Sequence, residues 1–424
     1  MANRILIGVS GGIASYKVCE VVSTLAKQGD RNNQSSSEVR VILTQAATEF
    51  VTPLTFATLS RHAAYTDSDF WHPGHGRPLH IELGEWADLL LLAPVTANTL
   101  AKLAYGMADN LLTNTVLASR CPVLMAPAMN ATMWEQSTVQ QNWCHLLANE
   151  RYFAIAPGSG ILACDAVGAG RMAEPAEILT YIESLLWTRG KRDLVGKRVL
   201  VSAGGTREFL DPVRFIGNPA TGKQGIAIAH AALHRGADVT LVLGNAEANK
   251  QVLPTSANCR VVGVVSSAQM HQTMRQEFGN ADLTIMSAAV GDVRPAHYND
   301  RKTPKSQLPT SLPLDPIADI LADLSARKRS EQILVGFAAQ TGTEAEVVAI
   351  AQQKLEAKGI DAIAVNQVDR PQTGFASDTN QATFLATNGK QTTTPLCSKL
   401  ELAHRLLDFL TEHLNPEQCQ SVKL

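Results

Sequence analysis

Residues 5–14 read Ile-Leu-Ile-Gly-Val-Ser-Gly-Gly-Ile-Ala, and residues 198–206 read Arg-Val-Leu-Val-Ser-Ala-Gly-Gly-Thr. Both are short apolar runs that end in a Gly-Gly turn. Such a run predicts a strand buried on both faces, and glycines at its carboxyl end let the backbone approach a ligand. The same grammar twice, about 190 residues apart, predicts two nucleotide-binding α/β units in tandem.

The surroundings of each turn agree. After the first come a helical stretch at 14–27, strands at 39–44 and 87–94, a helix at 98–118 and a strand at 122–128. After the second come a helix at 222–235, strands at 238–244 and 261–267, a helix at 268–279 and a strand at 281–292. A Pro/Lys-rich loop at 294–316 follows, then a helix at 317–328, a strand at 333–339, a helix at 344–358 and a strand at 361–366. Strand–helix alternation with short connections predicts doubly wound parallel sheets of the Rossmann-like or flavodoxin-like kind. The charged, glycine-containing stretch at 187–197 marks the break, which gives units at 1–190 and 191–424 with a linker near 186–196. The polar, Ser-rich segment 31–37 reads as a lengthened helix–strand loop.

Composition narrows the function. The chain has 424 residues, 45% hydrophobic and 18% charged, which excludes a disordered or fibrous protein. Lys and Arg number 37 against 39 Asp and Glu, so no basic excess exists to grip a nucleic-acid backbone. The seven cysteines are scattered, without a CxxC pair, which argues against a zinc ribbon or a disulfide scaffold. No stretch reaches the roughly 18 apolar residues of a membrane span, and the N-terminus reads as a strand. A soluble cytoplasmic enzyme acting on small molecules is the expectation.

Five stretches of the first half carry chemistry. Ser10, Gly11, Gly12 and Ile13 open a helix directly after a strand, where unpaired N–H groups can meet an anion. Thr96, Ala97, Asn98 and Thr99 follow another strand and offer hydroxyl and amide groups; helix capping is their other reading. Pro127-Ala128-Met129-Asn130 places one polar side chain in an apolar setting, with Met133 and Trp134 close behind. Residues 158–172 hold four glycines around Cys164, poor packing material and a suitable place for a reactive thiol. His80 begins the run His-Ile-Glu-Leu.

Taken together these stretches resemble the flavin-dependent cysteine decarboxylase family over residues 3–182. The resemblance implies FMN held by Ser10, Gly11, Gly12 and Ile13, by Thr44, by Thr96, Ala97, Asn98 and Thr99, and by Ala128. It implies His80 in the catalytic base region, Asn130 as the contact to the substrate carboxylate and amide, and Cys164 as the acid. Asp165 and Ala166 depart from the Gly-Asp that mostly follows this cysteine in the family. The family chemistry oxidises a cysteine thiol, so that a C=S group can accept the electrons left as CO2 departs.

The second half is similar to the phosphopantothenate–cysteine ligase family over about residues 196–410. The strings that carry this are SAGGTRE with LDPVRFIGN (202–218), the strand end Ala288-Ala289-Val290-Gly291-Asp292, and VGFAAQT (335–341). The resemblance implies Asn218 at the acyl intermediate. It implies a nucleotide site at Ala288, Asp292, Lys302, Asp319, Ile320, Phe337, Lys354 and Lys358, with Lys302 also catalytic. Ala220-Thr221-Gly222 and Lys302-Thr303-Pro304-Lys305 depart from the family's usual strings. Fused bacterial enzymes of this kind resemble CTP users and stand-alone relatives resemble ATP users; CTP with Mg2+ is the expectation here. The ligase product is the decarboxylase substrate, so the halves imply one bifunctional enzyme of coenzyme A biosynthesis. A homo-oligomer is implied by the same resemblance.

Overall fold

The computed structural model describes residues 2–31, 37–72, 74, 76–161, 167–245, 253–308, 310–370, 372–374 and 377–414. Two compact units divide the chain, Met1–Lys191 and Arg192–Leu424.

The strands of the first unit are β1 (Asn3–Val9), β2 (Ser37–Leu43), β3 (Ala64–Tyr65), β4 (Leu89–Val95), β5 (Val123–Pro127), β6 (Tyr152–Ala154), β7 (Gly158–Ile161) and β8 (Val167–Arg171). Six of them form a parallel sheet of order β3-β2-β1-β4-β5-β6. Alternation along β1 shows why it is apolar from Ile5 onward. Ile5, Ile7 and Val9 pack on Val18, Val21 and Val22 of the helix Ser15–Arg31 and on Ile178 of the helix Pro175–Thr188. Leu6 faces the other way, onto Leu112 and Val116 of the helix Leu111–Ala118. Helices therefore cover both faces of the sheet. The strand order reverses between β1 and β4, and ligands of such sheets lie at the carboxyl ends of the strands at this point.

The second unit adds β9 (Arg198–Ala203), β10 (Arg207–Phe209), β11 (Phe215–Gly217), β12 (Asp238–Gly244), β13 (Cys259–Val264), β14 (Leu283–Met286), β15 (Val293–Pro295) and β16 (Leu314–Pro316). It continues with β17 (Ile333–Gln340), β18 (Ala362–Gln367), β19 (Thr379–Asn380), β20 (Thr383–Ala386), β21 (Gln391–Thr393) and β22 (Cys397–Ser398). Its sheet runs β13-β12-β9-β14-β17-β18-β20-β21. The strands are parallel up to β18, and β20 and β21 close the edge antiparallel. Its order reverses between β9 and β14.

Four elements differ from the sequence reading. The strand expected over 281–292 is only Leu283–Met286, and the small residues after it form the cleft edge. The helix expected over 98–118 is two helices, Ala97–Ala104 and Leu111–Ala118. Gly106 turns left-handed at φ 66° between them, and the Asn110 side chain caps the second by accepting from the Thr113 N–H at 2.9 Å. The helix expected over 317–328 covers only Ile320–Ser325, because Asp319 caps it. The loop at 294–316 contains the antiparallel pair β15–β16.

Two candidate functional sites

The first unit has a cleft of about 1010 Å³ at its strand-order reversal. Gly11, Gly12 and Ile13 form one wall, and Thr96, Ala97, Asn98 and Thr99 another. Thr44, Ala128 and Asn130 complete the predicted set that lines it. Gly11 permits a close approach: a Cβ there would lie 2.4 Å from the Ala46 Cβ. Thr96 caps the helix Ala97–Ala104 by accepting from the Thr99 N–H at 3.3 Å, so the capping reading and the cleft position hold together. Asn130 likewise accepts from the Thr132 N–H at 2.8 Å while facing the cleft. Thr44 is different. Its Oγ1 is buried without a hydrogen-bond partner in a cleft-lining residue, and such an atom ordinarily has one.

Two predicted residues of this half stand outside the cleft wall. Ser10 is 1% exposed; its hydroxyl donates to the Pro94 carbonyl at 2.6 Å and accepts from the Thr96 N–H at 3.0 Å. It ties the ends of β1 and β4 together and so shapes the cleft from behind. His80 lies on the helix Leu79–Trp86, edge-on to the Phe70 ring at 5.3 Å, and its Nδ1 is buried without a partner. Cys164 and its neighbours Asp165 and Ala166 lie outside the described residues. The strands on either side, β7 and β8, pair antiparallel, and the Gly170 carbonyl of β8 accepts from the Met129 N–H at 3.0 Å beside Asn130. The sequence reading missed Tyr16, Lys17 and Arg171 on the cleft wall; Glu174 holds both cations, at 2.8 Å from Lys17 and 3.4 Å from Arg171.

The second unit has a cleft of about 600 Å³ at its own reversal point. Asn218, Ala288, Asp292, Asp319, Ile320, Phe337, Lys354 and Lys358 all line it. Small residues at 288–291 serve backbone pairing. Ala289 donates to the Gly204 carbonyl at 2.8 Å, and Gly291 donates to the Thr206 hydroxyl at 3.0 Å. Asn218 is drawn onto this segment, since its Nδ2 donates to the Val290 carbonyl at 3.3 Å. Lys358 pairs with Asp319 at 3.1 Å. Burial pushes the Asp319 carboxyl up, but the Ala322 N–H and Lys358 outweigh it and hold the group below the usual range.

Lys302 is exposed and is not on this wall. Buried Asp211 explains where it goes. That carboxylate accepts from the N–H groups of Val213, Arg214 and Thr303 and pairs with Arg214 at 2.9 Å, which fastens the lysine loop to the segment before β11. Lys223 of the Gly/Thr/Lys helix entrance, an anion-binding candidate from sequence, lines the cleft, and so do Asn366, Asn380 and Lys399, which were given no role there. Nothing in the sequence around Lys399 distinguishes it from a solvated lysine.

Two α/β units, each with a ligand-sized cleft where its strand order reverses, define a nucleotide-binding class of protein. Residues 1–186 match the flavoprotein family, and residues 194–414 match the DNA/pantothenate metabolism flavoprotein C-terminal domain. The chain is 40% identical over 405 residues to the coenzyme A biosynthesis bifunctional protein CoaBC of Bacillus subtilis, covering 96% of each. It is 39% identical over 414 residues to the protein of that name from Vibrio cholerae, covering 97% of this chain and 98% of that one. A cysteine/cysteine sulfinic acid decarboxylase from an unknown prokaryotic organism is 41% identical over 338 residues, 79% of this chain and 91% of that protein. The chain belongs to the family of coenzyme A biosynthesis bifunctional proteins.

Proposed function

We propose that the chain ligates cysteine to 4′-phosphopantothenate through an acyl-nucleotide and decarboxylates the product to 4′-phosphopantetheine. The observation that carries this reading is the second cleft. Asn218, Phe337 and the helix pair Lys354 and Lys358 come from three separate stretches of chain and line one wall system. An aromatic face, an amide and two lysines suit a base, an acyl group and phosphates.

The first cleft fits FMN. The glycine turn at Gly11 and Gly12 admits a ligand's phosphate or ring edge, and the orphaned Thr44 hydroxyl provides a hydrogen bond that the protein itself does not use. Thr96, Ala97, Asn98, Thr99 and Ala128 supply the remaining wall, and Ser10 holds it in place. FMN supplies the hydride acceptor and donor that makes loss of CO2 from a cysteine amide possible. Asn130 orients the substrate carboxylate, and Cys164 returns a proton to the product carbon. His80 belongs to the base region of the same reaction.

In the ligase cleft Asn218 holds the acyl group, and Lys354 and Lys358 on its wall neutralise charge as pyrophosphate leaves. CTP is the nucleotide of this reading. Mg2+ arrives with the triphosphate, for which one or two carboxylates suffice; among the described residues no cluster of three or more His, Cys, Asp or Glu is placed to hold a metal. No helix among the described residues is long and apolar enough to cross a membrane. We place the enzyme in the cytoplasm as a homo-oligomer, in keeping with the exposed apolar side chains Leu54, Trp71 and Tyr105 of the first unit.

The test is to supply the purified yellow protein with phosphopantothenate, cysteine, Mg2+ and either CTP or ATP. Pyrophosphate, CO2 and phosphopantetheine should appear together, with CTP preferred. Release of CO2 from free cysteine or cysteine sulfinate without nucleotide would overturn the reading in favour of the decarboxylase relative's activity. Cys164→Ser should still release CO2 but accumulate an oxidised enethiol product, with the flavin absorbance left bleached. Full turnover by that variant removes Cys164 from proton delivery.

A further inference from the structure

One wall of the ligase cleft has no part in the roles above. Lys399 opens the helix Lys399–Leu414 and lines the cleft at 7% exposure. Its Nζ donates to the Gly374 carbonyl at 3.3 Å. Its backbone N–H donates to the Asp378 carbonyl at 3.2 Å, and its carbonyl accepts from the Gln224 side chain at 3.1 Å. The position is therefore fixed by two separate segments, the stretch of Gly374 and Asp378 and the helix that carries Gln224. The charged groups that face the ammonium are Lys223 and Asp378. Lys223 lines the same cleft at the start of the helix Lys223–His234, and its Nζ lies 2.6 Å from the Asp378 carboxylate. Two lysines against one carboxylate leave this wall with one excess positive charge. Asn366 and Asn380, joined at 3.4 Å, add amide groups beside it.

Burial and the nearby Lys223 push the Lys399 ammonium down to about 8, against the pull of Asp378. Burying a lysine next to a second lysine works against the fold. Groups placed at such a cost in a cleft are candidates for ligand work. Ammonium and amide donors together match phosphate oxygens and do not match an apolar group, and the excess positive charge favours an anion over a neutral base edge.

We propose that Lys399, together with Lys223, forms a phosphate-binding subsite of the ligase cleft. The inference rests on the ligase reading and extends it to a residue outside the set carried over from the family. The phosphate comes from one of two sources, the polyphosphate tail of the nucleotide or the phosphate monoester of phosphopantothenate.

The experiment titrates the full-length wild type, Lys399→Met and Lys399→Arg with CTP, inorganic pyrophosphate and phosphopantothenate by calorimetry. Lys399→Met should weaken at least one of them about tenfold or more, the worth of one charge-assisted hydrogen bond. Lys399→Arg should stay close to the wild type. The melting temperature of ligand-free Lys399→Met should equal or exceed the wild type's, which a purely structural lysine would not allow. Weakening of CTP and pyrophosphate assigns the nucleotide tail; weakening confined to phosphopantothenate assigns the substrate phosphate. Wild-type affinity for all three in folded Lys399→Met overturns the proposal. Should that variant not fold, the wild type decides: its phosphate affinity should fall as pH rises through about 8, with proton uptake on binding, and a flat profile overturns the subsite. A wild type that binds pyrophosphate through Lys399 but makes no acyl-nucleotide would count against the ligase reading alone. A working ligase indifferent to Lys399→Met would count against the subsite alone.

Discussion

Replacing Thr44 by valine should change ligand-free stability and flavin affinity in opposite senses. Thr44 is 8% exposed and its Oγ1 finds no partner, although it precedes the helix Gln45–Thr48, where a threonine hydroxyl usually accepts a backbone N–H. Its backbone is secured independently, by the N–H bond to the Val9 carbonyl at 3.0 Å. Valine keeps the branched shape and removes only the hydroxyl. In the ligand-free protein an unsatisfied buried hydroxyl costs about 1–3 kcal/mol, so Thr44→Val should stabilise it by about 1 kcal/mol. For a unit of this size that raises Tm by about 2–4 °C. With FMN bound the same substitution removes a hydrogen bond to a charged acceptor, about 1.5–3 kcal/mol, or roughly ten- to a hundredfold in Kd. Calorimetry of flavin-stripped protein reads the first effect, and quenching of flavin fluorescence on titration reads the second. Thr44→Ser is the control and should bind FMN nearly as well as the wild type. A stripped valine variant that melts below the wild type, or one that binds FMN at full strength, refutes the reasoning.

The two glycines of the first turn should separate by the same two assays. Gly11→Ala places a Cβ 2.4 Å from the Ala46 Cβ and should cost about 1–3 kcal/mol of stability; Gly12→Ala meets nothing closer than 3.7 Å and should fold normally while weakening FMN. Equal effects of the two on Tm would contradict the packing argument. In the second unit Arg235 is 3% exposed and pairs with Asp193 at 2.6 Å and Asp408 at 2.7 Å. Arg235→Met should destabilise that unit by about 3–5 kcal/mol, measured by urea unfolding; a loss under about 1 kcal/mol would show that the pair of carboxylates is solvated. Burial, with Arg235 adding and Asp193 opposing, pushes His404 down to about 3. Its folded value lies below the unfolded one, so the unfolded chain binds more protons between the two. Stability is then fully present above about pH 6.5 and falls on acidification by up to about 1.4 kcal/mol per pH unit. Melting of His404→Gln should show a shallower slope between about pH 6 and pH 4, and an unchanged slope would acquit this histidine.

The parts of the fold legible in sequence are those whose cause is local. β4 is apolar throughout and β1 is apolar from Ile5 onward because helices cover both faces, and such a run has no other comfortable place. The break between the helices Ala97–Ala104 and Leu111–Ala118 was hidden because apolar residues continue at helical spacing on both sides of Gly106. The antiparallel edge strands β20 and β21 are four and three residues long and leave too little pattern to read. Site residues divide in the same way. Asn218 and Phe337 were legible because their strings are distinctive. Ser10 was expected to touch the ligand, yet its hydroxyl is taken by the Pro94 carbonyl 84 residues away. Lys399 meets Gln224 at a separation of 175 residues, and no local pattern reports such a contact.

The two Gly-Gly turns show how the same string can be put to different use. In the first, Gly11 is closed off by Ala46 while Gly12 has open space on the cleft side, so one glycine serves packing and the other leaves room for a ligand. In the second, Gly204 adopts φ 80° and a Cβ there would meet the Gly244 carbonyl at 2.1 Å; one on Gly205 would meet the Asn218 carbonyl at 2.8 Å. Both glycines of the second turn are therefore committed to bringing β9, the end of β12 and the Asn218 segment together. A turn so committed has little backbone left to offer an anion. Phosphate recognition in the second unit then draws on other elements, and the cleft wall supplies the entrance of the helix Lys223–His234 with Thr221 and Gly222, and the side chains of Lys223, Lys354, Lys358 and Lys399. The flavin cleft is walled by backbone and hydroxyl groups at its own turn, whereas the ligase cleft gathers a later helix entrance and lysines from across its sequence.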